Sequence, residues 1–174
     1  MRTNLELKAR YPSSRRAEQI ARRIHARRAG VLFQHDIYYR VPKGRAKLRI
    51  VRGGTSELIV YDRPNARSAR VSRYLAIPVY SSTEIDRLNR NLFGVLAEVR
   101  KRRLLYLYKN ARIHIDRVAQ LGNFVEFEVI VKSSMAQARK LMNELTGIFG
   151  IRTRDTVAVS YGDLLLRKRS TEAQ

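Results

Sequence analysis

A chain of 174 residues is long enough to enclose a full hydrophobic core as one domain. Its formal net charge of +21, carried mostly by arginine, selects polyanions as partners: nucleic acid, nucleotides, polyphosphate or an acidic membrane surface. The absence of cysteine excludes disulfides, cysteine-zinc sites and thiol catalysis. No apolar run is long enough to span a bilayer and Met1 opens straight into a strand pattern, so a cytoplasmic protein with no membrane attachment is expected.

Residues 3–10 alternate with period two, Leu5, Leu7 and Ala9 on one face and Glu6, Lys8 and Arg10 on the other. Pro12-Ser13-Ser14 then leads into a helix expected over 15–29, with Ala17, Ile20, Ala21 and Ile24 as its apolar stripe and Gly30 as its stop. Period-two segments follow at 35–41, 46–52, 57–63 and 70–79; Gly53-Gly54 reads as a tight hairpin and 64–69 as a polar loop. Ser81 with Glu84 makes a capping box for a helix carrying Ile85, Leu88, Leu92 and Phe93. Strand patterns return at 98–108, 111–117 and 124–132. Ser133-Ser134 precedes a third helix with Ala138, Leu141, Leu145 and Ile148 inward and Gly150 beyond its end. A short helix near 155–166 carries Tyr161, Leu164 and Leu165, and 167–174 reads as a frayed polar tail. The pattern predicts one antiparallel α+β domain over 1–174, built as two related halves.

The strands differ in the charge they carry. Lys47 and Arg49 share a face, as do Lys101 and Arg103; Arg112, His114 and Asp116 alternate with Ile113 and Ile115, and Glu126 and Glu128 bracket Phe127. For any single strand a solvated outer face explains this. Jointly, cations and carboxylates are sorted onto separate strands, which suits the lining of a closed barrel. Unpartnered ionic groups inside a barrel cost several kcal/mol each, so such a lumen must be wet or filled by ligand. Lysine and arginine match phosphate oxygens, and clustered carboxylates match Mg²⁺ or Mn²⁺; a triphosphate with its metal satisfies both. His25, His35 and His114 are too scattered to form a local metal motif. Tyr38, Tyr39, Tyr106 and Tyr108 fall in apolar strand patterns and read as packing residues, which disfavours nucleic acid as a partner.

Several ordered motifs resemble the CYTH family of triphosphate tunnel metalloenzymes, which includes class IV adenylate cyclases and thiamine triphosphatases. They are Glu6-Leu7-Lys8, then His35-Asp36-Ile37-Tyr38-Tyr39 with Lys47-Leu48-Arg49, and Lys101-Arg102-Arg103. Ile115 through Glu126 and Ser160-Tyr161-Gly162-Asp163-Leu164-Leu165 complete the set. The fold this resemblance implies is an eight-stranded antiparallel β-barrel, the triphosphate tunnel, with helices packed outside. It also implies that Lys8, Lys47, Arg49, Lys101 and Arg103 hold triphosphate oxygens, with Arg63 and Arg112 as further substrate contacts. By the same resemblance Glu6, Glu126 and Glu128 hold Mg²⁺ or Mn²⁺, Asp116 contacts the metal or orients a cation, and Glu6, Lys8, Glu126 and Glu128 carry the chemistry. Two positions depart from the family. Asn4 stands where the signature's first glutamate belongs, and Asp62 occupies a lysine slot whose charge Arg63 supplies one residue later.

The motifs around 121–124 and 160–165 resemble class IV cyclases, which implies ATP conversion to cyclic AMP and pyrophosphate. Hydrolysis of tripolyphosphate, a nucleotide or thiamine triphosphate is the alternative reaction. Triphosphate binding without turnover is a reading of a different class. The oligomeric state stays open, a homodimer included.

Overall fold

The computed structural model describes residues 2–62 and 68–172. β1 (Arg2–Arg10) pairs on one side with β5 (Arg70–Val79) and on the other with β8 (Gly122–Ile130), and this double pairing closes the sheet on itself. Between them run β4 (Ser56–Asp62), β3 (Arg45–Val51), β2 (Arg27–Tyr39), β6 (Val95–Tyr108) and β7 (Ala111–Val118). The barrel order is β1-β5-β4-β3-β2-β6-β7-β8, every neighbour antiparallel, so the expected α+β barrel is the observed one.

Period-two alternation now has a physical meaning for each face. Leu5 and Leu7 of β1, Ile113 and Ile115 of β7, and Val125, Phe127 and Val129 of β8 point outward and are buried. Two helices cover them: α1 (Ser14–Arg23) through Ala17 and Ala21, and α3 (Met135–Ile148) through Ala138, Leu141, Met142 and Leu145. Burying a side chain such as Phe127 stabilises by about 1.5–3 kcal/mol, so this outer layer, not the lumen, is the main core. A third helix, α2 (Ser82–Phe93), packs on β2 and β3 near Ile37, Tyr39 and Leu48. Ser13, Ser81 and Ser134 each accept a first-turn backbone N–H, fixing where these helices begin. The glycine pair closes the β3–β4 hairpin as expected, with Gly53 at φ +70°.

The structure corrects several boundaries. The helix expected over 15–29 ends at Arg23, because His25 turns the chain at φ +57° and Arg27 onward is claimed by β2. That strand runs 13 residues and pairs with β6 from Arg27↔Leu107 to Tyr39↔Val95, across a bulge at Arg28/Gly30. Long-range pairing has overridden the local helix signal. At the other end, 153–155 forms only a 3₁₀ turn, and α4 spans Tyr161–Glu172. Reciprocal bonds between Ser160 and Asp163 start α4, and the residues expected as a frayed tail continue it, exposed, to Glu172. Arg63 and most of the expected 64–69 loop lie outside the described residues. Among the described residues no helix is long and apolar enough to cross a membrane.

Candidate active site inside the barrel

The inward positions of the strands enclose a cavity of about 540 Å³. At one end Tyr38, Val99, Val118 and Phe124 pack against Tyr161 and Leu165, so α4 stoppers the barrel. Gly162 makes this fit: a β-carbon there would stand 3.0 Å from the Tyr38 ring. Leu32, Val51 and Leu105, from the adjacent strands β2, β3 and β6, line the cavity toward the opposite end. Between stopper and apolar shelf the lining is ionic.

Asp36, fully buried on β2, is the hub of the cationic side. It accepts from Lys101 at 2.6 Å, from Lys47 at 3.1 Å and from both ends of the Arg49 fork at 2.8 and 3.0 Å. Burial alone would raise the Asp36 carboxyl, but Arg49, Lys101 and Lys47 hold it well below the usual carboxylate range. Burial lowers the Lys101 ammonium to about 8, with Arg49 and Arg103 adding to the shift and Asp36 opposing it. Lys47 is pushed down by burial and by Arg49. Three cations thus share one carboxylate.

The opposite side is built by β1, β7 and β8. Glu6 faces Glu128 and Lys8 faces Glu126 across the β1–β8 ladder. Lys8 lies 3.4 Å from Glu126 and 3.9 Å above the Tyr161 ring. Arg103 bridges to Glu126 at 2.9 Å and grips Asp116 at 2.7 and 2.6 Å. Burial opposes ionisation of Glu126, yet Lys8, His114 and Arg103 keep its carboxyl well below the ordinary range. Arg112 donates to Glu128 at 3.1 Å, and the Asn4 amide donates to the other Glu128 oxygen and to Tyr74.

The structure therefore brings Glu6, Lys8, Lys47, Arg49, Lys101, Arg103, Arg112, Glu126 and Glu128 to one cavity. Asp116 is placed differently. It is fully buried behind Arg103, accepts also from the Tyr161 hydroxyl at 2.8 Å, and is not part of the cavity lining. Of its two expected roles the geometry supports orientation of a cation, since both oxygens are engaged by Arg103. Asp62 is exposed while Tyr61 faces the lumen, so the lysine slot carries no charge inward from Asp62.

Three lining or supporting residues escaped the sequence reading. Asp36 lay in a recognised motif, and its parity with Gln34 and Tyr38 was the available signal. Tyr161 looked like one apolar helix residue but places its hydroxyl on Asp116. His114, set aside for want of neighbours in sequence, stands 3.6 Å from Glu126 and 3.9 Å from Glu128, with burial and Arg103 lowering its pKa.

The donor chemistry suits a hard divalent cation: Glu6 and Glu128 are oxygen donors placed opposite each other in register. Among the described residues no three His, Asp or Glu side chains converge as a complete ligand set. The fit is to an ion such as Mg²⁺, held by one or two carboxylates and completed by substrate oxygens.

A closed antiparallel barrel with a charged lumen defines the class of protein. The chain matches the CYTH domain over residues 2–161 and belongs to that family, whose triphosphate tunnel metalloenzymes act on triphosphates and use divalent metal ions. Its fold is similar to that of the PH1012 protein of Pyrococcus horikoshii OT3, at 22% identity and a TM-score of 0.84, covering 92% of this chain and 98% of the other. A candidate adenylate cyclase of Vibrio parahaemolyticus is similar at 20% identity and TM-score 0.76, covering 94% and 98%. HpAC1 of Hippeastrum, a candidate adenylyl cyclase with a dominant triphosphatase activity, is similar at 12% identity and TM-score 0.65, covering 98% and 96%. No curated protein matches the sequence.

Proposed function

We propose that this chain is a metal-dependent enzyme that acts on an organic triphosphate inside the barrel, with cyclisation of ATP to cyclic AMP and pyrophosphate as its reaction. The observation that carries this is the sharing of Asp36 by Lys47, Arg49 and Lys101. Asp36 cannot by itself neutralise the three buried cations gathered on it, and this local positive excess on one wall of the lumen suits a multiply charged anion. Lys8 and Arg103 extend the grip across the lumen, and Arg112 serves at its Glu128 side. Glu6 and Glu128 would hold the divalent ion, which supplies charge neutralisation at the phosphates. Glu126 acts by positioning Lys8 and Arg103.

The apolar shelf of Leu32, Val51 and Leu105 favours a substrate with an organic group over bare tripolyphosphate. With the phosphates held toward the stoppered end, the nucleoside lies against that shelf. In the cyclase reaction the ribose 3′-oxygen bonds to the α-phosphorus. The bridging α–β bond breaks, pyrophosphate leaves with its electron pair, and the hydroxyl proton passes to solvent. Most of the acceleration comes from holding these atoms in line and neutralising the leaving charge.

Hydrolysis of a triphosphate is the second reading, favoured by the dominant triphosphatase activity of the Hippeastrum relative. Product analysis separates the two. Purified protein with ATP and Mg²⁺ or Mn²⁺ should release cyclic AMP and pyrophosphate. Orthophosphate from ATP or tripolyphosphate with no cyclic product assigns a hydrolase, and a rise in Tm with triphosphate but no turnover assigns a binding module.

A further inference from the structure

The barrel interior does not account for the charge of this protein. The six lysines and arginines lining the cavity face five carboxylates there, and Asp116 behind Arg103 makes a sixth. The surplus of +21 therefore belongs to other surfaces. On the outer face of the sheet it is organised. Arg102 of β6 lies directly opposite Arg117 of β7, and on its other side directly opposite Phe33 of β2. The Arg52 amide, just beyond β3, donates to the Phe33 carbonyl. A single row, Arg52, Phe33, Arg102 and Arg117, thus crosses four adjacent strands; with strands about 4.8 Å apart it spans about 14 Å.

All four side chains are exposed, Phe33 at 50%, and the three arginines form no ion pair among the described residues. Arg100, two positions along β6, is also exposed and forms no ion pair among the described residues, and it extends the positive strip. Like charges directly opposite each other destabilise a sheet, and an exposed phenylalanine contributes little to folding. By contrast the tyrosines of these strands are used internally, Tyr38, Tyr39 and Tyr106 being buried. Phe33 is the aromatic of β2 that the fold leaves outside.

We infer that this outer row of β3, β2, β6 and β7 binds single-stranded nucleic acid, with Phe33 stacking on a base and Arg52, Arg102 and Arg117 contacting phosphates. Arginine forks grip phosphate oxygens, and a base has a flat face for an aromatic ring standing among them. The open outer face of these strands leaves room for splayed bases, which a duplex would hide. The inference stands apart from the barrel's reaction, because the row lies on the opposite face of the sheet from the cavity.

The test is fluorescence anisotropy of a short labelled oligouridylate on the full chain, with the barrel saturated by tripolyphosphate. Binding should persist under saturation and weaken with salt. Replacing Arg102 and Arg117 together by alanine should lower the slope of log affinity against log salt by about 1.4, two phosphate contacts at about 0.7 each. Phe33→Ala should weaken the single strand roughly tenfold and leave a duplex of the same length unaffected. The Tm rise produced by tripolyphosphate should be unchanged in all these variants, which shows them folded with the barrel intact. Loss of the strand on adding tripolyphosphate would overturn the inference, as would wild-type affinity in the variants or a Phe33→Ala effect equal for duplex and single strand.

Discussion

Lys101 Nζ stands 2.6 Å from Asp36 Oδ2, and both groups are almost wholly shielded from water. The pair joins β6 to β2, while Arg49 and Lys47 tie the same carboxylate to β3. Asp36 therefore holds three strands of the barrel wall and pre-positions three cations.

Asp36→Asn should expose how this cluster is balanced. Removing one partner of a buried ionic group costs about 3–5 kcal/mol, because the other charges stay buried without compensation. Urea unfolding of the variant should show a loss of that size. Tripolyphosphate should then stabilise the variant more than the wild type, since the anion replaces the missing charge; a ligand at a hundredfold excess over its Kd adds about 2.7 kcal/mol. Equal stabilisation of both proteins would remove the three cations from the anion site.

The depressed Lys101 value gives a pH dependence with a definite sign. Its pKa is about 8 in the fold against 10.5 for an ordinary lysine, so the unfolded chain holds this proton more tightly. The ligand-free fold bears the burden of a charged, buried Lys101 below about 8. It is relieved of that burden as pH rises toward 10.5, so this group makes stability increase across the window. Tripolyphosphate binding should move the opposite way, its affinity falling above about pH 8 as the ammonium is lost. Calorimetric titrations across that window check this, and Lys101→Arg should flatten the dependence because a guanidinium stays charged.

Period-two alternation made the barrel legible, because one parity at Leu5 and Leu7 is apolar while the other at Glu6 and Lys8 is ionic. It could also sort the charges by strand, since β3 and β6 carry cations and β8 carries glutamates. It could not reveal engagement. Asp116 and Glu126 look alike in sequence, yet one lies behind Arg103 and the other lines the cavity. Nor could local signals find the start of β2. The Ala17–Ile24 stripe favours continuing α1, and only β6, some 70 residues later, supplies the backbone partners that end it. Asp36 was hidden in part for a similar reason: Lys47 and Arg49 lie on the next strand, but Lys101 comes from β6, 65 residues along the chain.

Gly162 tests the stopper. Its α-carbon brings the first turn of α4 against Tyr38, with ring carbons 3.0 to 3.3 Å from where a β-carbon would lie. Gly162→Ala must displace the Tyr38 ring or the helix, and overpacking of this kind typically destabilises by about 1–3 kcal/mol. Thermal unfolding should show the loss, whereas Gly147→Ala, with open space around the added carbon, should not. Unchanged stability in Gly162→Ala would mean that α4 closes the barrel loosely.

Asn4 decides how many carboxylates the metal side offers. Its buried amide donates to Glu128 and so neutralises one of that residue's acceptor sites without bringing charge. Asn4→Glu replaces this bond with two carboxylates in contact, which disfavours joint ionisation and leaves buried groups unsatisfied at about 1–3 kcal/mol. The metal-free variant should therefore melt below the wild type. Mn²⁺ should reverse the deficit, because a divalent cation turns the repulsion into coordination, and calorimetry should record tighter Mn²⁺ binding than in the wild type. If Mn²⁺ affinity and its effect on Tm are the same in both proteins, neither position 4 nor its partner Glu128 contributes to the metal site.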